Sequence, residues 1–454
     1  MNEGVPKGVV RPGRRRKTAD YRPFRAGGRP AGDDLRLAAA HRLRIAAPGT
    51  PGGRVNMGMV NAMAAISRQD LELPGWPQFG DEERGALIRA LDQGQWWRIG
   101  GSEVDEFEQE FAAYHHAPHA LAVTNGTHAL ELALQVMGVG PGDEVIVPAF
   151  TFISSSQAVQ RLGGVAVPVD VDPDTYCLDP AAARAAVTAR TKAIMPVHMA
   201  GVVCDMDELD KLAADTGAPI LQDAAHAHGA EWRGRRVGEL GSPAAFSFQN
   251  GKLMTAGEGG AVTFPDAGQY ETAFVRHSCG RPRTDRSYLH QTSGSNFRMG
   301  EFSAAVLRVQ LARLDGQIAT REQRWPLLAS LLADIPGVVP QGSDARCTRN
   351  PHYMAMFRIP GSTEERRNEL VDALIAGGLP AFAAFRAVYR TPAFWESAAP
   401  QESAKDIARR CPVSEELTRD CVWLHHRTLL ADEEQIHLVA RIVAETVAAV
   451  GSGV

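Results

Sequence analysis

The chain has 454 residues, 44% hydrophobic and 22% charged, with a formal net charge of −5. That composition supplies ample material for a core, suggests roughly two to three domains, and gives no reason to expect nucleic acid or an anionic membrane as main partner. No apolar run reaches the roughly 18–20 residues of a membrane span, and the six scattered cysteines form no C-x-x-C pair, which argues against a disulfide framework or zinc site and for reduced thiols in the cytoplasm.

Charge is unevenly placed. Residues 1–56 hold 13 Lys/Arg against 4 Asp/Glu, in a stretch rich in Arg, Gly, Pro and Ala with little hydrophobic periodicity. A nucleic-acid-binding arm or an organellar transit peptide would share that composition. Residues 1–65 are read instead as a disordered basic extension, or as a stretch upstream of a true start at Met57, Met59 or Met63. No apolar core of a secretory signal is visible in it.

Past residue 70 the pattern becomes regular. A first helix, DEERGALIRALDQ, precedes the aromatic turn GQWWRIGG. The short strand HALAVT leads into THALELALQVMG, where Leu130, Leu134 and Met137 recur at helical spacing. GPGD marks a turn and EVIVPAF a second strand. Further short apolar runs lie at 165–171, 193–198, 219–223, 244–249 and 260–264, mostly separated by helix-length segments such as PAAARAAV and DMDELDKLAADTG. That alternation predicts an α/β fold with a mostly parallel sheet between helices, whose ligands gather at the C-terminal ends of the strands. From residue 301 a long helical stretch begins. The strand HYMAMFRIP, the helix TEERRNELVDALIAGG and a closing helix near 432–449 follow. The expected organisation is a large domain over 70–310 and a smaller C-terminal α+β domain over 325–450.

Four features sit at strand ends. The first is T-N-G-T, residues 124–127, at the start of a helix. Free N–H groups and the helix dipole suit a phosphate there, Gly126 permits close approach, and Thr127 adds a hydroxyl. Thr is also a common helix cap, and no Walker-type motif is present. The second is Phe152, in PAFTFISSS, which can stack on a planar ring or serve as ordinary core. The third is Asp223, which ends the apolar run PILQD; a carboxylate placed there is costly unless it has a partner. His226 and His228 invite a metal reading with it, but their spacing and the lack of a nearby Cys speak against zinc. The fourth is Lys252, in SFQNGKLMTAGEGGAV. Such a lysine can be a solvated loop residue; partial desolvation instead lowers its pKa and frees the amine to attack a carbonyl. Taken in order, phosphate turn, aromatic, strand-end Asp and Lys suit pyridoxal phosphate (PLP), whose pyridine nitrogen needs a carboxylate to stay protonated.

On TNGTHALELAL, PAFTFISS, LQDAAHAHGA, SFQNGKLMTAGEGGAV and GSNFRMGEFSAAVLRVQL, the chain from about 75 to 450 resembles the DegT/DnrJ/EryC1/StrS family of PLP enzymes, of aminotransferase fold type I. The resemblance implies that Lys252 binds the cofactor covalently and acts as the catalytic base, and that Asp223 pairs with the pyridinium. It places Phe152 on the ring, His226 beside it, and Gly126, Thr127 and Ser247 on the phosphate. Asn296, in GSNFR, corresponds to an asparagine that reaches the neighbouring subunit's phosphate, which implies a homodimer with shared sites. His128 departs from the small residue many relatives carry there; its backbone N–H is expected to remain available. Most of the family transfer amino groups to nucleotide-linked keto sugars. The runs QGQWW, RHSCGRPR, HYMAMFRIP, AFAAFRAVYR and CVWLHHR instead favour a branch that dehydrates and aromatises 5-amino-5-deoxy-3-dehydroshikimate, a small molecule whose carboxylate needs a cation. Arg98, Arg298 and Arg386 are the candidates.

Overall fold

The computed structural model describes residues 71–283, 287–396 and 402–451. The basic extension expected over 1–65 lies outside these residues. Strands β1 (His119–Val123), β2 (Glu144–Pro148), β3 (Val165–Val169), β4 (Thr191–Ile194), β5 (Gln222–Asp223), β6 (Ala244–Ser247) and β7 (Gly260–Phe264) build the main sheet. β3, β2 and β4 pair in parallel, and β5, β6, β7 and β1 are successive neighbours. Parallel bridges Ile194–Ile220 and Val197–Asp223 join the two groups into one order, β3-β2-β4-β5-β6-β7-β1. β7 alone runs against its neighbours. The reason is local: a parallel partner would need a crossover helix, whereas the segment from Phe248 to Gly259 folds straight back, closed at its base by Phe248 N–H to the Gly259 carbonyl at 2.8 Å. Lys252 sits in that returning loop.

Most main-sheet strands are largely apolar because both faces are covered; β2, EVIVP, is buried throughout, Glu144 included. The helix Gly126–Val136 packs on β6 and β7, and the helix Glu103–Tyr114 on β1. The expected boundary between large and small domains falls inside a continuous helix, Glu301–Ala333. Beyond it, β8 (Val339–Pro340), β9 (Met354–Arg358), β10 (Ala381–Ala383) and β11 (Cys421–His425) form an antiparallel sheet in the order β8-β9-β11-β10. Its core joins Leu328 and Leu332 of the long helix to Val439, Ile442 and Val443 of the closing helix, Glu433–Gly451.

Candidate active site

The C-terminal ends of β2, β5 and β6 and the start of the helix Gly126–Val136 converge on a cavity of about 400 Å³. Gly126, Thr127, Phe152, Asp223, His226, Ser247 and Lys252 all line it.

The helix begins at Asn125, whose backbone is extended and whose Oδ1 accepts from His128 N–H at 2.9 Å. The Asn125 carbonyl accepts from Ala129 N–H. The first-turn amides of Gly126 and Thr127 have no place in the helical ladder and are left for a ligand. Ser247 closes the other side. A Cβ at Gly126 would lie 2.7 Å from Ser247 Cβ, so only glycine lets the helix start sit this close to the end of β6. The Thr127 hydroxyl is 2.9 Å from that of Ser154.

Asp223 ends β5 and is 6% exposed. Its Oδ2 accepts from Ser155 Oγ at 2.9 Å and its Oδ1 from Ala225 N–H at 3.2 Å; no cationic side chain forms an ion pair with it among the described residues. With Asp223 ionised, the single Ser155 proton is committed to it, so the Thr151 hydroxyl, 3.1 Å away, donates to Ser155. Burial raises the Asp223 pKa, and Ser155, Ala225 and the Lys252 charge oppose that. Burial lowers the Lys252 amine to about 8, against the pull of Asp223. The Lys252 Nζ lies 4.4 Å from the centre of the Tyr353 ring. His226 stacks on the same ring at 4.4 Å and lies nearly parallel to Phe385 at 6.2 Å. Burial holds His226 well below its usual pKa, hence neutral, and its Nδ1 has no hydrogen-bond partner among the described residues. Phe152 is 56% exposed at the cavity and meets Phe385 edge-on at 6.3 Å.

One expectation needs correction, and none of the three candidate arginines lines the cavity. The His128 N–H is not available, because it caps the helix through Asn125, while its imidazole turns to Thr124 Oγ1 at 2.6 Å and packs on Phe297. Arg98 cannot serve a ligand from where it sits. It is buried and bound to Glu108 through both terminal nitrogens, one at 2.7 Å, with Asp105 alongside. Arg298 and Arg386 also stand outside the cavity lining: Arg298 reaches Ser278 Oγ at 3.3 Å and Arg386 pairs with Glu364 at 2.9 Å. His228 is buried against Phe246 and Phe248, away from the lining. Asn296 is exposed and outside the cavity. Residues the sequence reading did not single out, Ser155, Tyr353, Phe385 and Trp423, complete the wall. All four lie in runs quoted for the resemblance.

A family model, the DegT/DnrJ/EryC1/StrS aminotransferase family, matches residues 78–443. The chain belongs to that family. It is 71% identical over 384 residues to the 3-amino-5-hydroxybenzoate synthase of Amycolatopsis mediterranei, covering 84% of this chain and 99% of that protein. A crystal structure of 3-amino-5-hydroxybenzoic acid synthase superposes with a TM-score of 0.83 at 71% identity, over 84% of this chain and 99% of that one. The L-glutamine:2-deoxy-scyllo-inosose aminotransferase of Streptoalloteichus tenebrarius is 38% identical, over 82% of this chain and 93% of that protein.

The residues present fit pyridoxal phosphate. Two uncommitted amides and Ser247 form a cradle that a Cβ at Gly126 would fill. Asp223 is a buried carboxylate with no counter-ion among the described residues, suited to a protonated ring nitrogen. Lys252 supplies an amine whose pKa burial has already lowered to about 8.

Proposed function

We propose that the chain is a PLP-dependent 3-amino-5-hydroxybenzoate synthase, a hydro-lyase that converts 5-amino-5-deoxy-3-dehydroshikimate into the aromatic amino acid by loss of water, as a starter unit for antibiotic assembly of the ansamycin type. The observation that carries this reading is the 71% identity, across nearly the whole of the compared protein, to a synthase of that name. The cavity agrees with it. Tyr353, Phe385 and Trp423 give it aromatic walls suited to a small flat ring.

Bound in the cavity, the cofactor supplies a ring that stores the electron pair released when a C–H bond beside the substrate amine breaks. Gly126, Thr127 and Ser247 would hold its phosphate, Asp223 would keep its nitrogen protonated, and Phe152 and His226 would lie beside the ring. Lys252 would hold the cofactor in the resting protein, and its amine, when unbound, would take the proton from the carbon bearing the substrate nitrogen. A hydroxyl one carbon further leaves with a proton as water, and a further proton shift makes the ring aromatic. Asn296, exposed on the chain, supports a homodimer in which it reaches the partner's cofactor phosphate. Six free thiols support a reducing, cytoplasmic location.

The second reading is amino transfer to a keto sugar or cyclitol, favoured by relatives such as the inosose aminotransferases at 33–38% identity. Purified protein incubated with PLP and the aminodehydroshikimate is expected to form 3-amino-5-hydroxybenzoate. Absence of that product, together with transfer from glutamine to a keto substrate, would establish the second reading instead.

A further inference from the structure

Lys252 closes a tight turn: its N–H donates to the Gln249 carbonyl at 2.8 Å. The two central carbonyls of that turn are both captured from outside. Trp76 Nε1 donates to the Asn250 carbonyl at 2.8 Å, and His426 Nε2 lies 3.1 Å from the Gly251 carbonyl. The Trp76 and His426 rings meet edge to face at 4.4 Å and 86°.

Behind both stands Arg321, in the long helix. It is 0% exposed, yet no carboxylate pairs with it among the described residues, and its Nε and Nη1 have no hydrogen-bond partner there. The guanidinium's one hydrogen bond among the described residues is from Nη2 to His426 Nδ1, at 3.1 Å. Its Cζ lies 5.9 Å from the Trp76 ring centre. A guanidinium has donors only. His426 Nδ1 must therefore accept, the ring proton must sit on Nε2, and Nε2 must donate to Gly251. Arg321 thus fixes the tautomer as well as the place of the imidazole. A fully buried cation without a counter-charge is expensive, and packing alone would be served better by methionine or leucine.

We propose that Arg321, acting through His426 and beside Trp76, is a positioning residue for Lys252, locking the Gln249–Lys252 turn so that the amine keeps its place in the cavity. The clamp draws on three distant parts of the chain: the segment before the first helix, the long helix, and the residue after β11. The inference rests on the reading that Lys252 holds the cofactor and moves the substrate proton.

The test compares His426→Gln, whose amide can accept from Arg321 and donate to Gly251, with His426→Phe and Arg321→Met, which break the chain. Holoenzyme assays are expected to show kcat lowered about tenfold or more in His426→Phe and Arg321→Met with KM nearly unchanged, because a displaced catalytic group costs rate rather than binding. His426→Gln is expected to restore most of the rate. A second readout needs no turnover: the visible band of lysine-bound cofactor, followed after mixing cofactor-free protein with PLP, should form more slowly in the two breaking variants. Normal kcat and normal band formation in those variants would overturn the proposal, as would equal losses in His426→Gln and His426→Phe. If Arg321→Met does not fold, the two His426 variants decide alone. A Lys252→Ala protein that kept the band would defeat the underlying reading instead.

Discussion

Ser155→Ala tests how the site holds the Asp223 charge. Ser155 Oγ donates to Asp223 Oδ2 at 2.9 Å, and the other donor among the described residues is Ala225 N–H, at 3.2 Å from Oδ1. Deleting the hydroxyl leaves Oδ2 without that bond in a buried place. A hydrogen bond to a charged group contributes about 1.5–3 kcal/mol, which at about 1.4 kcal/mol per pKa unit corresponds to a rise of about one to two units. The sign follows from the balance of causes: burial pushes Asp223 up, Ser155 pulls it down, so losing Ser155 lets it climb. In the proposed function Asp223 acts ionised. The acidic limb of kcat/KM against pH should therefore move to higher pH by the same amount, and the cofactor should be held less tightly. Stopped synthase assays across mildly acidic to mildly alkaline pH, with cofactor affinity from equilibrium dialysis, measure both. An acidic limb that stays in place, with unchanged cofactor affinity, would refute the reasoning.

Gly126→Ala places a Cβ 2.7 Å from Ser247 Cβ, so the phosphate cradle must open; PLP affinity in titrations should fall about tenfold or more, the cost of about 1.4 kcal/mol. Arg98→Met leaves Glu108 buried without its partner and should cost about 3–5 kcal/mol in denaturant unfolding, while substrate KM in the surviving folded protein stays near the parent value. In cofactor-free protein the Lys252 amine should gain reactivity toward carbonyl reagents as pH rises through about 8. Asp223→Asn removes the charge that favours the protonated amine, so that midpoint should move to lower pH.

The legible parts of the fold were those where burial writes directly into sequence. β2 is buried along its whole length and reads as an apolar run, VIV, behind Glu144, and β7 was placed residue for residue, though not its antiparallel direction, which depends on the loop that folds back through Lys252. The strand Cys421–His425 was missed because CVWLH mixes aromatic, apolar and polar residues without alternation. The helices Ala404–Arg410 and Pro412–Asp420 were missed because they are short, largely charged, and separated at Cys411–Pro412. The placement of Lys252 and Asp223 on one cavity was legible from strand ends. The Ser155–Asp223 bond was not, since it joins residues 68 apart in sequence. The His128 error came from starting the helix at Thr127; the cap is Asn125, and it consumes the amide expected to be free. Arg98 looked available because sequence does not show that Glu108, ten residues on, already holds it.

The central claim concerns where the electrons go after the proton loss proposed for Lys252, and the substrate nitrogen reports it. Aminodehydroshikimate labelled with heavy nitrogen at its amino group, followed through one turnover by mass spectrometry, should yield 3-amino-5-hydroxybenzoate that retains the label, with one water lost. Label found on the cofactor, with an unaminated ring as product, would contradict the account.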